Sequence, residues 1–155
     1  MPNGKAMRNR KMPAPVEFDR TRCNCLALRQ AARQVTQLYD RHMAGEGLRA
    51  NQYSILSKLS RLGPMSINTL AAQMVMDRTT MGRAIRPLQR EKLLAIRPDK
   101  HDGRTRVIHL TEAGEARLKA ATVRWKEAQK EFEASFGGNE AAALRSMLTR
   151  VIEGV

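Results

Sequence analysis

Bond-making chemistry has few candidates in this 155-residue chain. Its two cysteines, Cys23 and Cys25, share one short stretch, CNCLAL, and its three histidines, His42, His101 and His109, stand far apart. None of the histidines has a carboxylate or cysteine at a zinc-ligand or triad spacing, and neither a Gly-rich phosphate loop nor an H-E-x-x-H pattern occurs. The chain reads as neither an enzyme nor a metal sensor, with no metal and no other cofactor expected. Groups that bind without reacting are abundant: 28 Lys and Arg against 15 Asp and Glu give a formal charge of +13 and a pI near 10.8. Such an excess suits a polyanion, nucleic acid ahead of an acidic membrane surface or an acidic protein.

The charge is concentrated. Between Arg78 and Arg106 stand nine basic residues against Glu91, Asp99 and Asp102, a net of six in less than a fifth of the chain. This stretch opens on Asp77-Arg78-Thr79-Thr80, which places hydroxyls and a guanidinium on the first turn of a helical pattern. Such groups reach base edges when the start of a recognition helix enters a major groove. Arg83 and Arg86 lie further along the same helix, within reach of guanine edges or phosphates, while Arg90 reads as a solvated surface residue. Ser66 and Asn68, at the start of the preceding helix, join the DNA-facing set. Further on, Asp102-Gly103-Arg104 is followed by Arg106 in a turn-rich loop. Gly103 permits a tight reversal, and Asp102 can hold Arg104 extended toward a minor groove. An arginine there senses groove width and potential more than base identity, and adds to affinity more than to sequence choice.

These groups need a scaffold, and the apolar spacing supplies one. Cys25, Leu28, Ala32, Val35, Tyr39 and His42 alternate at three and four, one stripe of a helix running from Asp19 to about Ala44 and ended by Gly45 and Gly47. A second helix, Gln52 to Leu62, turns Tyr53, Leu56, Leu59 and Leu62 inward before Gly63-Pro64 breaks it. A short helix over Ile67 to Met76, capped by Ser66, precedes the one capped by Asp77, with Met81, Ile85 and Leu88 inward and Pro87 tolerated within it. Two short helices about three residues apart form a helix-turn-helix. Leu94 to Arg97 and Arg106 to Leu110 then read as a hairpin. Thr111 caps a long helix with Leu118, Ala121, Trp125, Ala128 and Phe132 in line; Gly137-Gly138 stops it, and Asn139 caps a last helix carrying Leu144, Met147, Leu148, Val151 and Ile152.

The fold expected is mainly α with a small β hairpin, a winged helix-turn-helix flanked by N- and C-terminal dimerisation helices. Residues 1–16 form a mobile basic tail, 17–47 the N-terminal dimerisation helix, 48–111 the DNA-binding region and 112–155 the C-terminal dimerisation helices, all in one structural domain. The outer stripes exceed what one small winged domain covers; a second copy in a two-fold dimer covers them, against the alternative of pairing within one chain. No apolar run approaches the ~18 residues that span a bilayer, and no apolar core follows the basic N-terminus. A cytoplasmic protein with no membrane partner is therefore expected, in a compartment that keeps thiols reduced.

The run DRTTMGRAIRPLQREKLLAIRPDKHDGRTRVIHLTEAGEARL resembles the MarR family of bacterial transcription regulators, with its Asp, Arg and hydroxyls opening the recognition helix, its D-x-R wing and its Leu-Thr-x-x-Gly. LRANQYSIL, Leu48 to Leu56, is similar to that family's second helix. Two positions depart from the family pattern: Arg49 stands where a capping Thr is common, and Lys92 where Gly is common. The resemblance implies a homodimer on double-stranded DNA at a pseudo-palindromic operator, usually repressing and released by a small phenolic or acidic ligand or by cysteine oxidation. Arg29, Arg33, His42 and Tyr53 are the ligand-pocket candidates, and core packing or solvation explains them equally. A non-specific DNA binder stays open beside the sequence-specific regulator.

Cys25-Leu26-Ala27-Leu28 is similar to the C-x-A-L context of the family's organic-hydroperoxide-sensing branch, with Tyr39 at the spacing of one tyrosine that branch uses. Its other tyrosine position holds Arg29 here. Cys25 is thus either a redox-active thiol or a small packed side chain. Residues two apart on a helix point to nearly opposite sides, so Cys23 and Cys25 do not pair with each other.

Overall fold

The computed structural model describes residues 19–154, so the basic segment 1–16 lies outside the described residues. The elements run α1 (Asn24–Met43), α2 (Ala50–Leu62), β1 (Met65–Ser66), α3 (Ile67–Gln73), α4 (Arg78–Arg90), β2 (Leu94–Pro98), β3 (Arg106–Leu110), α5 (Glu112–Phe136) and α6 (Gly138–Gly154). The α-rich winged fold is as the sequence reads, with a third strand that the sequence conceals. β1 is two residues long and pairs antiparallel with β3, Met65 opposite Ile108, giving the sheet order β1-β3-β2.

Helix ends follow hydrogen bonds that compete with or complete the helix ladder. α1 starts at Asn24, later than the expected start at Asp19. Asp19 accepts from the Thr21 N–H at 2.8 Å and its hydroxyl at 2.7 Å, holding residues 19–22 in a local turn. Cys23 is then the N-cap, its Sγ accepting from the Leu26 N–H at 3.4 Å. Arg49, before α2, has no side-chain acceptor for a cap. Asp40 of α1 supplies one: its Oδ1 accepts from the Ala50 N–H at 2.7 Å, and its other oxygen lies 3.5 Å from the Arg49 guanidinium. Gln52 Oε1 accepts from the Arg49 N–H at 2.9 Å. The departure from a capping Thr is compensated from a neighbouring helix.

α3 and α4 are shorter than their patterns suggest because each closes on the same motif. After α3, the N–H of Val75 donates to Ala72 and that of Met76 to Ala71; after α4, Lys92 donates to Gln89 and Leu93 to Leu88. Both are Schellman motifs, whose turning residue takes a left-handed conformation. Val75 (φ 53°) and Lys92 (φ 60°) occupy those positions, where glycine is ordinarily favoured. Lys92 is the position where the family pattern has Gly, and its backbone is the one glycine would adopt. α6 begins at Gly138, the Gly137 carbonyl accepting from Ala141 at 2.9 Å; Asn139 lies inside the helix and does not cap it.

The core joins all the winged elements. Met43, Ile55, Leu56, Leu70, Met81, Ile85, Leu88, Leu93 and Ile108 are fully buried, each worth roughly 1.5–3 kcal/mol relative to exposure. Ile55 takes the inward place expected of Leu62, which is 52% exposed at the end of α2. α5 packs along both α1 and α2 and so ties the outer helices to the wing. Leu-Thr-x-x-Gly has a physical basis at this junction. Thr111 Oγ1 shares its one hydrogen between the carbonyls of Lys92 (2.7 Å) and Leu93 (3.1 Å) and accepts from the Gly114 N–H at 3.0 Å. Gly114 lies so close to the Leu93 carbonyl that no Cβ fits.

Candidate nucleic-acid interface

α4 is strongly two-sided. Met81, Ile85 and Leu88 anchor it in the core, which leaves Arg78, Thr79, Thr80, Arg83 and Arg86 on the open face. Arg83, Arg86, Gln89, Arg90 and Pro87 line a shallow concavity of 660 Å³. Pro87 lies within the helix, which runs on to Arg90. At the start of α4, Asp77 is clamped to Thr80 twice: Oδ1 accepts from the Thr80 N–H at 2.8 Å and Oδ2 from the Thr80 hydroxyl at 2.6 Å. Those bonds, the hydroxyl's first, hold the Asp77 carboxyl below its usual range, so the residue is an anion when α4 meets a ligand. Thr79 keeps a hydroxyl without a partner among the described residues.

Ser66 and Asn68, at the start of α3, have different surroundings. The Ser66 hydroxyl caps α3, accepting from the Thr69 N–H at 3.2 Å, and lies 3.0 Å from the Thr69 hydroxyl. Asn68 is exposed on the first turn of α3.

The wing tip is organised by two aspartates. Asp99 Oδ1 accepts from the N–H groups of His101 (2.7 Å) and Asp102 (3.0 Å), and these bonds lower the Asp99 pKa. Asp102 accepts from the Arg104 N–H at 3.1 Å and the Thr105 hydroxyl at 2.8 Å, and the Asp99 N–H closes the loop on the Thr105 carbonyl at 2.7 Å. Two expectations change here. Asp102 holds the backbone of Arg104 and not its guanidinium, and Gly103 does not adopt a left-handed conformation, so the carboxylates make the reversal. Arg104 and Arg106 remain exposed. Asp99 was missed as an organiser of the wing; its place after Pro98, two and three residues before the N–H groups it accepts, is the signal that marks such a turn.

The four ligand-pocket candidates are not brought together. Arg29 and Arg33 are exposed along α1. His42 is engaged by α5, its Nε2 2.6 Å from Glu131 and its Nδ1 3.8 Å from Glu127. Tyr53 is buried, stacked at 6.1 Å on Trp125 with its hydroxyl 3.3 Å from that of Thr122.

The redox candidates separate as well. Cys25 is exposed, and Tyr39 lies fourteen residues on along the same helix, about 21 Å away. The Tyr39 hydroxyl donates to Gln129 Oε1, and burial, followed by the charge of Glu133, raises its pKa. Within the chain there is no thiolate-holding site, and the hydroperoxide-sensing alternative has no support. Cys25 is not packed within the chain, and the outer stripe to which it belongs is exposed at Leu28 (41%). Among the described residues no cluster of three or more metal-binding side chains occurs, and no helix is long and apolar enough to cross a membrane.

That stripe of α1 faces α5 and α6 across a cleft of 560 Å³ lined by Leu28, Ala32, Val35, Phe132, Leu144 and Leu148 among others. On α6, Met147, Val151 and Ile152 are 54%, 42% and 61% exposed.

Comparison with known proteins places these features in a family. The sequence pattern of the MarR family matches residues 48–105, the whole of the helix-turn-helix and most of the wing. The transcriptional activatory protein BadR of Rhodopseudomonas palustris is 30% identical over 90 residues, 56% of this chain and 51% of BadR, so the chain spans about half of that relative's length. The HTH-type transcriptional repressor NicR of Pseudomonas putida is 25% identical over 126 residues, 81% of this chain and 80% of NicR. The transcriptional regulator MosR of M. tuberculosis, solved with DNA, superposes with a TM-score of 0.73 at 32% identity, over 84% of this chain and 96% of that one.

Proposed function

This chain belongs to the MarR family of transcription regulators, DNA-binding proteins and not enzymes, and from that premise we propose that it acts as a homodimer on a pseudo-palindromic operator. One observation carries the reading: Arg78, Thr79, Thr80, Arg83 and Arg86 are exposed on α4 and Arg104 and Arg106 on the wing, with Asp77 hydrogen-bonded to the first turn of α4 and Asp99 and Asp102 to the backbone of the wing tip. Arg78, Thr79, Thr80, Arg83 and Arg86 enter a major groove, with Ser66 and Asn68 beside them. Arg104 and Arg106 reach the flanking minor groove, where they sense width and potential. Preorganisation through Asp77, Asp99 and Asp102 reduces the ordering cost of binding.

The dimer rests on the apolar surface of α1, α5 and α6, which a second copy covers with two-fold symmetry. It brings two recognition helices to half-sites one helical turn apart. Repression in the cytoplasm, relieved by a small phenolic or acidic ligand, completes the proposal. NicR, which matches the larger share of this chain, is named a repressor, although BadR is named an activator.

Footprinting on the DNA upstream of the chain's own gene tests the reading, together with sedimentation for the dimer. The expected result is a protected two-fold site with half-site centres ~10 base pairs apart. Equal affinity for that DNA and random DNA at physiological salt overturns it in favour of a non-specific binder.

A further inference from the structure

The hydroxyls of Thr79 and Thr80 are adjacent in sequence but differ in hydrogen-bonding capacity. A threonine hydroxyl has one hydrogen to donate and two lone pairs with which to accept. The Thr80 hydrogen is committed, because the oxygen 2.6 Å away belongs to the ionised carboxylate of Asp77, which can only accept. The Thr80 N–H on the other carboxylate oxygen, at 2.8 Å, fixes the pair in place. Thr80 is exposed, so its lone pairs face outward on the first turn of α4.

Resting on the reading of α4 as the recognition helix, we propose that Thr80 is an acceptor-only reader that selects a base bearing a major-groove amino group, adenine or cytosine, at one position of each half-site. The selection follows from what DNA offers. Phosphate oxygens only accept, so an oxygen that has spent its hydrogen gains nothing from them. In the major groove only adenine N6 and cytosine N4 donate; guanine O6 and N7 and thymine O4 accept, and two acceptors facing each other repel. Thr79, whose hydrogen is free, makes no such demand and can hold a phosphate. Asp77 thus sets the polarity of the contact without touching the DNA.

The polarity can be reversed by one atom. In Asp77→Asn the amide oxygen still accepts from the Thr80 N–H, but the amide nitrogen donates to the Thr80 hydroxyl and frees its hydrogen. Asn caps helices as well as Asp, so α4 is retained. The experiment is selection from a randomised operator library with the full-length wild type, Thr80→Val, Thr80→Ser and Asp77→Asn. Circular dichroism melting verifies that each is folded.

The wild type is expected to show one position per half-site confined to adenine or cytosine. Thr80→Ser keeps that preference, Thr80→Val loses it at that position alone with roughly 5- to 150-fold less discrimination, and Asp77→Asn turns it toward guanine or thymine. If the wild type selects a defined operator and folded Thr80→Val and Asp77→Asn select the same bases at every position, the role of Thr80 is overturned while the operator reading stands. If the wild type selects no operator at all, the operator reading is overturned and this inference with it.

Discussion

Gly114→Ala perturbs the junction through which α5 locks the wing to the end of α4. A Cβ at Gly114 meets the Leu93 carbonyl oxygen at 2.2 Å and Leu110 Cδ1 at 2.7 Å, whereas real Cβ atoms essentially never come within 3.0 Å. The side chain of Leu110 can turn, but the carbonyl cannot. It accepts from the Thr111 N–H and hydroxyl, both at 3.1 Å, and belongs to the residue that closes the Schellman motif after α4. α5 must therefore withdraw by at least 0.8 Å, the difference between 3.0 and 2.2 Å, loosening both the Thr111 bonds and the cap on α5. Overpacking of this kind costs about 1–3 kcal/mol and a weakened cap about 1 kcal/mol, together about 2–4 kcal/mol. For a chain of this size the melting temperature falls by about 4–16 °C. Circular dichroism melting measures it, with Gly103→Ala as the control. That glycine has nothing within 4 Å of its Cβ position and no left-handed φ, so its variant should stay within about 0.5 kcal/mol of wild type. A Gly114→Ala protein melting within about 1 °C of wild type refutes the reasoning.

Two further outcomes follow from the same geometry. Val75→Gly should stabilise the fold by about 0.5–1 kcal/mol, because relief of about 1–2 kcal/mol at a left-handed φ exceeds the chain-entropy cost of glycine, about 0.5–1 kcal/mol. Little burial is lost, since Val75 is 71% exposed; a lower urea midpoint would show that the turn is not strained. Arg104→Ala should weaken binding to all DNA sequences alike and reduce the salt slope by up to about 0.9, the value for one positive charge withdrawn from the DNA. Binding isotherms at several salt concentrations check this, and a changed base preference would contradict the wing's role.

Much of this architecture was legible in the sequence because it depends on local rules. The apolar alternation of three and four located α1, α4 and α5, apolar residues at every third position located α2, and a hydroxyl or carboxylate before the pattern located the caps at Ser66, Asp77 and Thr111. Boundaries were less legible where two local signals compete. The first helix was expected to begin at Asp19, but the Asp19–Thr21 turn satisfies the backbone first. At Val75 and Lys92 the helices stop on residues that ordinarily do not take the turning conformation, so no sequence cue announces the stop.

The sequence by itself determined the class of molecule: a basic, winged helix-turn-helix chain with its charge gathered between Arg78 and Arg106. These properties depend on composition and on spacings within one element. Only the tertiary structure decided the partners that come from elements far apart in the chain, since no spacing within one element announces them. Asp40 of α1 caps α2, Gln129 of α5 takes the Tyr39 hydroxyl, and Met65 finds Ile108 to make the third strand. Even in the recognition helix, the sequence supplies two adjacent threonines of the same chemistry. The cap geometry at the start of α4 makes them unlike, by bringing one carboxylate within 2.6 Å of a single hydroxyl.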